Sequence, residues 1–165
     1  MIEALTQQPK TKGLTMTLHT IHFTSEISPT SFSNLQDAAL KAVSSNASEI
    51  KLFISSPGGN NDFGFTAYHF LRSLPVPISA HCIGNIESMA VIMFLAADVR
   101  IAVPYSKFKI HPLHWGFPQG NIDHDRLIEF GDSLNFDAER YISIFEERTQ
   151  AAQKKLDVRN HLMGQ

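Results

Sequence analysis

Short β-branched runs alternate with stretches whose apolar residues recur every three to four positions, and this alternation confines the chain to one fold class. Leu18 to Thr24 sets apolar Ile21 and Phe23 against His22 and Thr24, a strand pattern. Ser28-Pro29-Thr30 opens a helix whose stripe is Phe32, Leu35, Ala39, Leu40 and Val43, with Ser33 and Gln36 resembling a capping box. Ser44-Ser45-Asn46 ends it. Ile50 to Ser55 then reads as a buried parallel strand. Phe63 to Leu74 is helical and stops ahead of Pro75 and Pro77, since the residue before a proline disfavours the helical region. Strand Ile78 to Ile83, helix Ser88 to Ala97, strand Val99 to Val103 and strand Lys107 to His111 complete the series. Such an order implies βαβ crossovers and a mostly parallel sheet covered by helices, an α/β fold.

The pattern changes after Trp115. Ile122 to Gln153 is one long helical stretch with Leu127, Phe130, Leu134, Ala138, Tyr141 and Phe145 as its stripe. Phe136, Ile142 and Ile144 lie off that stripe. Two readings stay open: a projecting helix that packs against another subunit, or a helix pressed between the sheet and a loop. Residues 1–13 are polar, contain Pro9 and Gly13, and read as an arm on a single domain that spans 1–165.

Bulk properties narrow the function classes. A chain of 165 residues suffices for a core without disulfides or metals. Its net charge of −2 and the absence of a dense Lys/Arg run argue against a nucleic-acid surface. The single cysteine, Cys82, excludes a disulfide framework and points to a reducing compartment. The first residues lack the apolar core of a signal peptide, and Met89 to Ala97 is too short to span a bilayer, so a cytoplasmic protein is expected.

The candidate chemistry centres on Ser88, in Gly84-Asn85-Ile86-Glu87-Ser88-Met89-Ala90, where a strand gives way to a helix. A serine at such a turn presents its hydroxyl at the positive end of a helix, beside N–H groups without intrahelical partners. Ser56-Pro57-Gly58-Gly59 and His111 also fall at strand ends, and ligands of open parallel sheets bind beyond the carboxyl ends of strands. A serine hydroxyl needs a base, and an imidazole takes and returns a proton near neutrality. The N–H groups of Gly59 and Met89 are the candidate oxyanion donors, each worth about 3 kcal/mol in comparable enzymes. Taken singly, Ser88 is also readable as a plain helix cap, His111 as a half-buried strand residue and Gly58-Gly59 as an ordinary turn. His111, His114, Asp123 and His124 form the densest set of metal-ligand types, but without an HExxH-type pairing no metal is expected, and no cofactor.

Three segments together carry a resemblance. Leu52-Phe53-Ile54-Ser55-Ser56-Pro57-Gly58-Gly59 resembles the oxyanion loop of the ClpP family of self-compartmentalised serine proteases. Gly84 to Ala90 resembles its nucleophile turn, and Pro104-Tyr105-Ser106-Lys107-Phe108-Lys109-Ile110-His111-Pro112 its histidine segment, in the same order and near the same spacing. The resemblance implies a ClpP/crotonase spiral of βαβ units, with the helix from Ile122 as the handle through which two heptameric rings stack. It implies hydrolysis of unfolded polypeptide inside a closed chamber fed by an AAA+ ATPase ring.

Departures from the family pattern keep other readings in view. Glu87 replaces the small residue usual before the nucleophile, and is either an exposed turn residue or a perturbation of the base. The segment from Ser88 to His111 is slightly short, and the polar arm differs from the apolar axial loops that meet an ATPase. The family's triad acid follows the handle, with a closing strand after it; this chain reaches Gln165 about there. Asp157 is the nearest candidate for that acid, but reads more readily as a solvated helix carboxylate. The alternatives to a Ser–His peptidase are a non-catalytic ClpP-like structural subunit and an acyl-CoA enzyme of the crotonase group.

Overall fold

The structure, a computed structural model, describes residues 17–114, 116 and 120–163. The expected arm, residues 1–13, lies outside the described residues. The order is β1 (Leu18–Phe23), α1 (Pro29–Ser44), β2 (Glu49–Ser56), α2 (Asn61–Ser73), β3 (Ile78–Glu87), α3 (Met89–Leu95), β4 (Val99–Ala102), β5 (Lys107–Lys109), α4 (His124–Thr149) and α5 (Val158–Met163). All strand pairs are parallel, and β1 to β4 lie in the sheet in chain order. Right-handed crossovers that always step the same way place their helices on one face of the sheet, which makes the chain a spiral of βαβ units.

Burial follows from that geometry. Ile21 and Phe23, Ile50, Leu52 and Ile54, and Ile78, Ala80 and Cys82 face the helices and are buried. Leu35, Ala39 and Ala42 of α1 and Phe65, Ala67, Tyr68 and Leu71 of α2 meet them. α3 is buried at every position, between the sheet, α2 and α4. The opposite sheet face has no helix over it among the described residues. There His22 stacks on Phe53 (5.2 Å between centroids) and Phe53 on His81 (5.2 Å), with Ile101 next in register. β2 is therefore parallel as expected, but fully buried only on alternate residues.

Several elements differ from the sequence expectation, each for a local reason. β3 runs on to Glu87, since β5 pairs with its second half: Asn85↔Lys107, Ile86↔Phe108 and Glu87↔Lys109. At Ile86 the other edge of β3 pairs with Ser56, so β5 continues the edge that β4 occupies. β5 itself stops at Lys109, short of His111. The capping box of α1 is Ser28 with Ser31, not Ser33 with Gln36, because Pro29 is already set for the first helical turn.

The long helix is His124–Thr149 within the expected 122–153, capped by Asp123, whose carboxylate accepts from Arg126 N–H at 2.8 Å. Its buried residues all fall in the second half, among them Ile142 and Ile144, which belong to the core rather than to a surplus apolar face. Its first half is exposed, with Leu127, Ile128 and Phe136 each more than half or about half accessible. α5, after Asp157, is an element that the sequence pattern did not signal.

Candidate active site

Ser88 follows directly on β3 and precedes α3, and its backbone sits at φ 53°, ψ −130°. A left-handed conformation of this kind costs a non-glycine residue on the order of 1–3 kcal/mol and persists only where the surroundings enforce it. The enforcement is visible. Ser88 N–H donates to Lys109 O at 2.8 Å, and Ser88 O accepts from Val91 N–H at 3.0 Å and from the Tyr141 hydroxyl at 3.3 Å. Ser88 occupies the cap position of α3 by sequence, but its hydroxyl makes no capping hydrogen bond. A serine cap uses extended backbone and an accepting side chain, and Ser88 has neither.

The glycine loop is folded onto this elbow. Ser56, buried at the end of β2, accepts the Gly58 N–H on its hydroxyl at 3.2 Å. Ile27 then brackets the loop: Ile27 N–H donates to Gly58 O (2.7 Å) and Asn60 N–H to Ile27 O (2.9 Å). Gly58 has φ +91° and Gly59 φ +145°, both in the range that favours glycine. A Cβ at position 58 would lie 2.7 Å from Ser88 Cβ and 3.1 Å from Met89 N, so it is Gly58 that touches the elbow, with Gly59 beside it. The N–H groups of Gly59 and Met89 donate no hydrogen bond among the described residues. Gly59 lines the cavity described below, whereas Met89 is fully buried and is not among that cavity's lining residues.

His111 enters from β5. Lys109 O holds the Ser88 N–H, and His111 lies two residues further on. Its Nδ1 is 2.8 Å from Pro112 O. A carbonyl only accepts, so Nδ1 carries the proton in this contact, and in the neutral ring Nε2 is left with its lone pair. That is the tautomer a general base needs. The His114 ring stacks on His111 at 5.6 Å. No hydrogen bond joins Ser88 Oγ to the imidazole, a separation common before substrate binds.

Ser88, His111 and Gly59 line one cavity of about 350 Å³ together with Glu26, Pro57, Gly58 and His114. A neighbouring cavity of about 400 Å³ shares Gly59 and His114 and adds Asn60, Asn61, Asp62 and Gly116. Asp157 is not among these residues. It is exposed and caps α5, accepting from Asn160 N–H at 3.0 Å. Glu87 is no loose turn residue: its carboxylate pairs with Lys107 at 2.6 Å, and that ammonium holds its pKa below the ordinary carboxylate range.

Three contributors escaped the sequence reading. Glu26 reaches the cavity through the Ile27–Gly59 bridge, which no local motif announces. The Pro112 carbonyl is backbone and carries no residue signal. Tyr141 reads as one more apolar position of a helical stripe. Among the described residues no cluster of three or more metal-ligand side chains forms and no helix is long and apolar enough to cross a membrane.

The chain and its fold have counterparts among known proteins. A model of the Clp protease family matches residues 10–160. The chain is 29% identical over 114 residues to an ATP-dependent Clp protease proteolytic subunit of Deinococcus radiodurans, which covers 66% of this chain and 52% of that protein. It thus spans about half the length of this curated relative. A mutant ClpP1 from Listeria monocytogenes shares the fold, with a TM-score of 0.66 at 20% identity over 80% of this chain and 72% of that one. With a family match over nearly its whole length and the same fold, the chain belongs to the Clp protease family.

Proposed function

We propose that this chain is a serine peptidase subunit that cleaves peptide bonds through Ser88, with His111 as base and the Gly59 and Met89 N–H groups as oxyanion donors. The observation that carries the reading is the strained, uncapped Ser88 in one cavity with an imidazole whose Nδ1 faces a carbonyl. In this scheme His111 Nε2 takes the Ser88 hydroxyl proton as Oγ bonds to the scissile carbonyl carbon. The carbonyl oxygen gains the negative charge between the two N–H groups. Collapse breaks the C–N bond, with the proton passing from Nε2 to the departing amine, and water then releases the acyl group by the same route. The Pro112 carbonyl does the orienting task of a triad acid. It fixes the tautomer but brings no full charge to balance the imidazolium, so turnover is expected to be slow; loss of the acid costs about 10⁴-fold in comparable triads.

The same reading places the chain in a homo-oligomeric ring. The exposed Leu127, Ile128 and Phe136 of α4 suit a handle that meets a second ring, and an AAA+ ATPase would deliver unfolded polypeptide to the chamber in the cytoplasm. The missing Ser88–His111 hydrogen bond and the lack of a carboxylate on Nδ1 favour one second reading, a ClpP-like structural subunit with little activity of its own. Family membership favours both over an acyl-CoA enzyme.

A fluorophosphonate probe separates the two. Labelling that disappears in Ser88→Ala and slows sharply in His111→Ala supports the peptidase. Oligomers that form without labelling support the structural subunit, and labelling that survives Ser88→Ala overturns the assignment of the nucleophile.

A further inference from the structure

We propose that Tyr141 is a positioning residue for the oxyanion site: its hydroxyl, donated to the Ser88 carbonyl, fixes the peptide plane whose N–H is that of Met89. The inference rests on the reading of Ser88 as nucleophile and goes beyond it, to a residue of α4 that lies 53 positions away in sequence.

A trans peptide is planar, with its C=O and N–H pointing in opposite directions. Whatever holds Ser88 O therefore aims Met89 N–H, and two donors hold it: Val91 N–H from the start of α3, and Tyr141 from outside that helix. The first is a local turn contact that any helix start makes. The second ties the plane to a separate element. This matters because Ser88 at φ 53° lies outside the broad wells of L-residues, so its conformation depends on outside restraint.

The environment of Tyr141 fits the role. The residue is fully buried, and Ser88 O is the hydrogen-bond partner of its hydroxyl among the described residues. A buried phenol takes a partner when one is in reach. Burial also pushes its pKa up, so the hydroxyl keeps its proton and remains a donor through the range in which a histidine works. A hydrogen bond to a peptide oxygen further polarises the same peptide, which makes its N–H a better donor. Tyr141 touches no reacting atom; it acts through Met89.

Tyr141→Phe removes only the hydroxyl. The fluorophosphonate labelling rate is expected to fall about tenfold, a part of what deleting an oxyanion donor outright costs. Binding of a peptide boronate, whose tetrahedral adduct fills the oxyanion site, is expected to weaken in parallel, while an uncleaved peptide amide binds as before. A variant carrying 3-fluorotyrosine at position 141, a stronger donor of the same shape, is expected to label faster than the unmodified protein, and an equal or slower rate overturns the role. This second variant keeps the test decisive should Tyr141→Phe fail to fold. Equal labelling and equal boronate affinity in the folded Tyr141→Phe protein overturn the positioning role and leave the nucleophile assignment intact. If the unmodified protein does not label at all, the peptidase reading fails first and the role of Tyr141 fails with it.

Discussion

Replacement of Gly58 by alanine tests whether the contact between loop and elbow matters as the geometry indicates. The new Cβ would meet Ser88 Cβ and Glu87 O at 2.7 Å, against an ordinary contact of at least 3.4 Å, so either the loop or the elbow must move by about 0.7 Å. At φ +91° the alanine also carries backbone strain. Strain and overlap together are expected to destabilise the fold by about 2–4 kcal/mol, a sizeable part of the 5–15 kcal/mol typical of a domain but not all of it. A shift of that size takes the Gly59 N–H out of good hydrogen-bonding range of an oxyanion. Loss of one such donor lowers turnover by about 10²–10³-fold. The assay pairs a urea unfolding curve with the fluorophosphonate labelling rate of the folded protein. If Gly58→Ala labels at the unmodified rate, the loop is not the oxyanion device described here. An unchanged urea midpoint would refute the steric argument itself.

Two other substitutions probe the site's surroundings. Asp157→Ala removes the α5 cap, a loss of about 0.5–2 kcal/mol at most, and is expected to leave labelling within about twofold; a fall near the roughly 10⁴-fold of a lost triad acid would restore Asp157 to the mechanism. Asp137 is nearly fully buried, and burial raises its pKa while Arg140, 3.1 Å away, works against that rise. A carboxyl whose pKa is higher in the folded state binds its proton more tightly there. Its ionisation therefore costs stability as pH rises through the folded value, and the cost is complete above it. Asp137→Asn is accordingly expected to raise Tm at about pH 8 and to raise it less at about pH 4. A lower Tm at the higher pH would show that the Arg140 contact outweighs burial.

How far the chain discloses its site depends on where each part lies. The Ser88 turn and the His111 segment were legible because each is a local motif at a strand end. The touching glycine was harder to name: the choice between Gly58 and Gly59 depends on how β2 registers with β3, where the pairing shifts between Ile54 and Ser56. Ser28 does not stand out as a cap in the sequence, since Ser33 and Gln36 also fit a box and only the helix start at Pro29 decides between them. The Pro112 carbonyl is invisible to any reading based on side chains. Ile142 and Ile144 fall off a stripe drawn on one helix because that stripe does not know that α4 packs against both α3 and α5 and places them in the core.

The order of the strands has a consequence for how the protein is made. β1 to β4 are laid down in the order of synthesis, so each emerging strand meets a neighbour that has already left the ribosome. β5 is the exception, because it passes β4 to pair with β3. The Ser88 N–H gains its Lys109 partner only then, and His111 arrives on the same stretch of chain. A nascent chain halted after β4 would carry the serine without its base and without that backbone clamp. Whatever reactivity Ser88 has is thus timed to appear only after the other four strands of the sheet are in place.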